Sequence, residues 1–108
     1  MKLIISIVQS DDADGLLEAL IEKGHRATKI STTGGFLQQG NATIFVGTAE
    51  QQVSAVLAII QENCHARTQL VNPLPFMLAQ EPLMVEPVEV PIGGATVFIL
   101  NVEQFHRF

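Results

Sequence analysis

The sequence has no tryptophan, no tyrosine and a single cysteine among its 108 residues. Cys64 alone cannot form an intramolecular disulfide, and one cysteine is typical of a reducing compartment, so we expect a cytoplasmic protein. Only six residues are Lys or Arg, against 11 Asp or Glu, which gives a formal net charge of −5. Because binding to a nucleic acid polymer depends on many contacts between basic side chains and phosphates, this charge argues against DNA or RNA as a partner.

Long apolar runs are also missing. No segment approaches the roughly 18 to 20 apolar residues needed to cross a bilayer, so no membrane span or membrane partner is predicted. The apolar run over residues 1–9 is interrupted by Ser6, which favours a buried strand over a targeting segment. The hydrophobic fraction is nonetheless 47% and the mean hydropathy +0.31. We therefore expect one domain, residues 1–108, that buries part of its surface against another subunit.

The familiar motifs of catalysis are absent as well. The glycine-rich phosphate loops of ATPases and dinucleotide enzymes do not occur, so no cofactor and no enzymatic activity are predicted. His25, His65 and His106 have no partners at zinc-ligand spacing, which argues against a metal site. The adjacent Cys64 and His65 leave a nucleophile pair open, but a packed thiol at the end of an apolar helix face is the simpler interpretation.

Hydrophobic periodicity divides the first part of the chain into strands and helices. A helix is predicted over about residues 11–23, with acidic residues in its first turn and Gly24 as its left-handed C-terminal residue. Runs of β-branched residues predict strands over residues 25–33 and 42–47. The capping-box pattern at residues 48–51 predicts the start of a second helix, which extends to about residue 63.

The last third of the chain holds all five prolines. A short strand is predicted over residues 68–71, a long mobile loop over 73–84 and the start of a paired segment over 88–90. Residues 95–100 are apolar enough for a central strand that is covered on both faces. The resulting βαββαβ order predicts an α+β, ferredoxin-like sandwich, with an antiparallel sheet and two helices on one face. The uncovered face favours a small closed ring, most simply a trimer.

Residues 32–41 have the composition of a ligand-binding loop. The Gly34–Gly35 pair can bring backbone N–H groups close to an anion, while Phe36 offers a flat face to a base and Asn41 a donor and acceptor edge. An ordinary strand connection whose Phe36 folds into the core would have the same composition, so both interpretations stay open at this point.

Arg26 and Thr28 extend this pattern. They lie two residues apart on a predicted strand, so they share one face next to the glycine loop. A stacked base whose edge is read by side chains would use these residue types.

The sequence resembles the PII-like cyclic di-AMP receptor family, the type called PstA or DarA, over nearly its whole length. The most specific parts of the resemblance are the block Thr-Thr-Gly-Gly-Phe-Leu at residues 32–37 and the block Gly-Gly-Ala-Thr-Val-Phe at residues 93–98. Shorter matches lie at residues 2–9, 27–29, 40–41, 87–90 and 104–106.

The resemblance implies a homotrimer of PII-like, ferredoxin-like subunits, with one cyclic di-AMP in each cleft between neighbours and no catalytic turnover. It also implies the ligand-binding residues, and the full set is Arg26, Thr28, Gly35, Phe36, Leu37, Asn41, Gly47 and Gly94. The responsive segments would be a short loop, residues 34–41, and a long Pro-rich loop, residues 73–91, which together would face an unknown protein target.

Two departures from the family pattern bear on the ligand. Gly24 stands where family members often have asparagine, and the Pro-rich loop has Phe76-Met77-Leu78 in place of the usual Gly-Gly and Tyr-Pro-Tyr character. The main alternative is a PII-like regulator that binds ATP or another adenine nucleotide, which the shortage of Lys and Arg disfavours. A small enzyme or a purely structural trimer is the alternative from another functional class.

Overall fold

A computed structural model describes residues 1–31, 40–71 and 87–108 of the chain. The described residues form six strands, two α-helices and one short 3-10 helix. In chain order these are β1 (Lys2–Gln9), α1 (Ser10–Glu22), β2 (Arg26–Ile30), β3 (Asn41–Thr48), the 3-10 helix (Glu50–Gln52), α2 (Val53–Cys64), β4 (Arg67–Val71), β5 (Val88–Ile92) and β6 (Ala95–Asn101).

Four of the strands form one antiparallel sheet in the order β2-β3-β1-β6. The long central strands β1 and β3 pair along their whole length, from Lys2 opposite Thr48 to Gln9 opposite Asn41. This strand order, with two helices in the connections, is compatible with the predicted ferredoxin-like fold.

The core lies between this sheet and the helices. Ile4 and Val8 of β1 and Ile44 and Val46 of β3 are buried on the face that the helices cover, because residues two apart on a strand point the same way. From α1, Leu16 and Leu20 pack into the same cluster, and from α2 Val56, Ile59 and Ile60 do so. The helix face of β1 and β3 is therefore filled within one chain, whereas Ile99 of β6, which stands opposite Ile4, is 44% exposed.

Helix α1 ends as the sequence predicts. Gly24 has a φ of 87°, its N–H donates to the carbonyl of Ile21 over 2.9 Å, and the N–H of His25 donates to the carbonyl of Leu20 over 2.9 Å. Paired bonds of this kind satisfy the last carbonyls of a helix around a left-handed residue, a conformation that glycine adopts without a steric penalty.

The predicted capping box at residues 48–51 is wrong. Thr48 is the last residue of β3, with its side chain buried on the helix face, and Ala49 rather than Thr48 occupies the N-cap position of the helix that follows. The 3-10 helix follows instead, and α2 begins only at Val53. Neither Ala49 nor Gln52, both within the described range, makes a side-chain capping hydrogen bond.

Two predictions about the last third of the chain also need correction. Strand β6 is an edge strand whose residues are mostly exposed, not a central strand covered on both faces, since among the described residues it pairs only with β1. The paired segment predicted at residues 88–90 is confirmed, so the bounds 73–91 that the resemblance implied for the Pro-rich loop extend too far. These residues belong to β5, which pairs with β4 as a separate two-stranded sheet, here called the hairpin. Pro91 is tolerated in it because a strand of a two-stranded sheet has an unpaired side. The predicted loop segments 73–84 and 34–39 lie outside the described residues.

Candidate functional site

The face of the four-stranded sheet that the helices do not cover, here called the open face, carries most of the described candidate residues. By register, Arg26, Thr28 and Ile30 of β2 stand beside Gly47, Phe45 and Thr43 of β3. The row continues through Leu3, Ile5 and Ile7 of β1 to Leu100, Phe98 and Thr96 of β6. The open face is thus apolar in its middle and polar at its margins, where Arg26, Thr28 and Asn41 lie.

The first cleft, here called the Arg26 cleft, lies at one end of this sheet and has a volume of about 460 Å³. Arg26 and Gly47, directly opposite each other on β2 and β3, both line it. Its other lining residues are Met1, Lys23, Gly24, His25, Thr48, Ala49 and Gln52. The cleft thus brings together Lys23 and Arg26, two of the six Lys and Arg residues of the chain, with His25 beside them.

The second cleft, here called the turn cleft, lies at the other end and has a volume of about 340 Å³. Asn41 and Gly94 line it together with Gln9 and Gly93. Gly93 and Gly94 form the turn between β5 and β6, with φ values of 76° and 89°, a conformation that side chains rarely adopt. The amide of Gly93 donates to Gln9 Oε1 over 2.7 Å, and the amide of Gly94 donates to the carbonyl of Cys64.

Within one chain the two clefts are far apart. Asn41 and Gly47 are six residues apart on β3, which corresponds to roughly 20 Å at about 3.4 Å per residue. The sequence therefore predicted a set of residues that the fold divides into two groups, Arg26 with Gly47 at one end and Asn41 with Gly94 at the other. Thr28 lies on the open face between them, opposite Phe45.

Gly35, Phe36 and Leu37, the remaining candidates, lie outside the described residues. The segment that carries them is bounded by Ser31 and Gly40. Gly40 has a φ of 93°, and its carbonyl accepts a 2.6 Å hydrogen bond from the N–H of Ser10 at the start of α1. Gly40 thus leads directly into Asn41, the first residue of β3, at the turn-cleft end.

The comparison with known families decides what kind of protein this is. A family model described as "Cyclic-di-AMP receptor" matches residues 1–108. The chain belongs to this receptor family. The crystal structure of a functionally unknown protein from Pediococcus pentosaceus ATCC 25745 is similar, with 45% sequence identity and a TM-score of 0.78 over 99% of this chain and 96% of that one. The resemblance found in the sequence is therefore confirmed.

The surroundings of Cys64 argue against the nucleophile pair that the sequence left open at Cys64 and His65. Cys64 is the last residue of α2 and its thiol is buried. Its pKa is raised to about 11, by burial first and by the negative charge of Asp12 second, against the opposing effect of Arg67. A thiol with a raised pKa is a poor nucleophile at neutral pH. Within residues 1–31, 40–71 and 87–108, no group of three His, Cys, Asp or Glu side chains could hold a metal ion.

Sequence reasoning missed several residues of both clefts. Gln9 was treated only as part of a strand, and Lys23 and His25 were not considered as cleft residues, yet all three line the clefts. Polar residues at the ends of apolar strands were the available signal for Gln9.

None of the helices in the described parts of the receptor is long and apolar enough to span a membrane.

Proposed function

We propose that this receptor binds cyclic di-AMP between the subunits of a homotrimer. In this arrangement the Arg26 cleft of one subunit and the turn cleft of its neighbour hold the same ligand. The observation that supports it most directly is the separation of the two clefts. One compact dinucleotide cannot contact both ends of a strand of eight residues in the same chain, whereas two adjacent copies can bring opposite ends together.

The open face supplies the reason to associate. Phe98 is 43% exposed and Leu100 46% exposed, next to the partly exposed side chains of Leu3 and Ile5. A contiguous apolar patch of this kind is uncommon on a monomer and is removed when copies pack sheet against sheet. The clefts at the two ends of the sheet would then lie at the borders of the subunit interface.

Each part of the site has a role in this proposal. Arg26 and Thr28 would contact one adenine, and Asn41 would read a base edge from the neighbouring subunit. Gly35, Phe36 and Leu37 would join the turn-cleft side, since the segment that carries them ends beside Asn41. Phe36 would stack on a base, which is worth about 1 to 3 kcal/mol for each stacked base. Gly47 and Gly94 would leave room for close approach of the ligand to the backbone.

An acidic protein can bind this anionic ligand. The formal charge of −5 slows encounter with a dianion but does not prevent binding, provided that backbone amides and local basic groups face the phosphates. Lys23, His25 and Arg26 in one cleft supply such groups. We further propose that the receptor acts in the cytoplasm, without catalysis and without a cofactor. It would relay ligand binding to a protein target through residues 34–41 and 73–91.

A mixing experiment tests the shared site. Arg26→Ala and Asn41→Ala each remove one half of it, so neither homotrimer should bind cyclic di-AMP as the wild-type protein does. If the two variants are unfolded together, refolded and titrated, about one quarter of the interfaces combine an intact Arg26 cleft with an intact turn cleft in a random trimer. Isothermal titration should therefore recover high-affinity sites at about one quarter of the wild-type stoichiometry.

Three outcomes would contradict this proposal. Absence of heat when wild-type protein is titrated with cyclic di-AMP would exclude the ligand, and tighter binding of ATP would favour the adenine-nucleotide alternative. If the mixture of variants recovers no high-affinity sites, Arg26 and Asn41 either contact the ligand from the same subunit or do not contact it. The unmixed variants, refolded in the same way, serve as the control.

A further inference from the structure

Arg67 occupies an unusual position at the base of the hairpin. It is the first residue of β4, and its guanidinium lies 3.1 Å (Nη2 to Oδ1) and 3.5 Å (Nη1 to Oδ2) from the carboxylate of Asp12 in the first turn of α1. The same Nη1 donates to the backbone carbonyl of His65 over 3.0 Å. One side chain thus connects the hairpin with α1 and with the end of α2.

Gly93, which lines the turn cleft, lies next to this guanidinium. A Cβ built on Gly93 would overlap Arg67 Nη1 and the carbonyl oxygen of His65, so Gly93 has to be glycine for reasons of space as well as backbone conformation. Gly93 in turn donates to Gln9, which stands opposite Asn41 at the end of the central strands. A continuous set of contacts therefore leads from Asp12 through Arg67 and Gly93 to the polar residues of the turn cleft.

A second ion pair in the chain provides a comparison. Lys29 Nζ lies 2.9 Å from Asp14 Oδ1, so it also joins α1 to a strand. Asp14 is 79% exposed, however, whereas Asp12 is only 10% exposed. Exposed pairs contribute little because water screens them, while a forked guanidinium on a largely buried carboxylate fixes both charge and direction.

We propose that the Asp12–Arg67 pair couples the turn cleft to the hairpin, so that Arg67 is a positioning residue for the ligand. This inference rests on the proposed function, since the ligand is the cyclic di-AMP of the turn cleft. Arg67 holds the Gly93–Gly94 turn and the base of β4 in one arrangement. A ligand that contacts Gly94 then stabilises the same arrangement of the hairpin, whose strands lead into and out of residues 72–86.

Coupling of this kind is reciprocal, because a hairpin that the ligand orders must itself favour the ligand. Loss of the ion pair should therefore change two properties together. The affinity for cyclic di-AMP should fall, and the ligand should no longer slow amide hydrogen exchange in β4 and β5. A merely structural contact would lower the melting temperature and leave both properties unchanged.

The test uses titration calorimetry, hydrogen exchange and thermal melting on four variants. Arg67→Gln and Asp12→Asn should each weaken cyclic di-AMP binding about 10-fold, within the usual range of coupling between sites. The double variant should bind no more weakly than either single variant, since both remove the same contact. Lys29→Gln breaks the exposed pair and should retain wild-type affinity and wild-type ligand protection of the hairpin.

The outcomes separate this inference from the proposed function. If wild-type protein binds cyclic di-AMP and Arg67→Gln binds as Lys29→Gln does, the coupling is overturned while the proposed function stands. If wild-type protein does not bind, the proposed function is overturned and the coupling with it. Should Arg67→Gln fail to fold, Arg67→Lys keeps the charge without the fork, and wild-type affinity in that variant would also overturn the coupling.

Discussion

The two faces of the four-stranded sheet have similar composition and different surroundings. On the helix face, Ile4, Ile44 and Val46 are fully buried by α1 and α2. On the open face, Ile5, Ile7 and Phe45 occupy the alternate positions of the same two strands and remain partly exposed. Strands that are apolar on both sides are typical of sheets covered on both sides, and the part of the chain that the structure describes covers only one of them.

Under the proposed function, this difference separates the part of the sequence that specifies the subunit from the part that would specify the assembly. The helix face accounts for folding, because most of its side chains pack within one copy. The open face, with the two clefts at its ends, would pack against another copy in the proposed trimer. Substitutions on the two faces should therefore affect different measurements even where the residue type is the same.

The largest effect is expected at the centre of the open face. Ile5→Asp places a charge in the middle of the apolar patch, where sheet-to-sheet packing would bury it without a partner, so the trimer should be lost. Because the proposed ligand site combines clefts from two copies, cyclic di-AMP binding should be lost as well. Sedimentation velocity checks the assembly and titration calorimetry checks the binding.

The matched control for this variant is Ile21→Asp. Ile21 is an exposed isoleucine on α1, away from the open face, so its replacement should leave a trimer that binds the ligand. An Ile5→Asp protein that sediments as the wild-type protein does would show that the open face is not the interface.

The next effect concerns stability on the helix face. Ile44→Ala leaves a cavity in a core that is filled within one chain, which should lower the free energy of unfolding by about 2 to 5 kcal/mol. Ile7→Ala, on the open face of the neighbouring strand, should cost the isolated subunit less and should weaken association instead. Urea unfolding, with light scattering in parallel, compares the two. Equal losses of unfolding free energy with unchanged association would remove the distinction between the faces.

The sequence predicted the subunit well where local patterns and packing agree. The helix that precedes Gly24, the paired strands β2 and β3 and the short strand β4 follow from periodicity and turn residues, and the structure confirms them. Thr48 misled because its capping pattern is local, whereas its burial at the end of β3 depends on the whole sheet. The apolar residues of β6 predicted a central strand for a related reason. An apolar pattern indicates that both faces of a strand are covered, but it does not indicate which chain covers them. In the proposed trimer, a second copy would cover part of β6.

The candidate site was predictable as a set of residues but not as a geometry. Arg26 with Thr28 and Gly93 with Gly94 are recognisable from spacing and from resemblance to the receptor family. Their division between opposite ends of the sheet depends on register, which no local pattern specifies. No local pattern in the sequence indicates the role of Arg67, because its partner Asp12 is 55 residues away in the chain.

Two basic residues on β2 test the faces at smaller scale. Arg26 lies on the open face and lines a cleft, while Lys29 lies on the helix face and pairs with Asp14. Arg26→Ala should weaken cyclic di-AMP binding by about 1 to 3 kcal/mol, whereas Lys29→Ala should leave it unchanged. Titration calorimetry at one salt concentration makes the comparison. Similar losses in both variants would indicate a general charge effect rather than a contact with the ligand.

The smallest effect is expected at Cys64, on the helix side and away from the open face. Its pKa of about 11 in the folded chain, against an ordinary 9.0, means that the unfolded thiol ionises first as the pH rises. Between about pH 9 and 11 the unfolded state therefore binds fewer protons than the folded state, and the free energy of unfolding should fall with pH. Cys64→Ala removes this contribution. The difference in free energy of unfolding between the wild-type protein and the variant should therefore narrow or reverse between about pH 9 and 11. Cyclic di-AMP binding by Cys64→Ala should stay at the wild-type level. A loss of binding in this variant would show that the thiol contributes to the functional site.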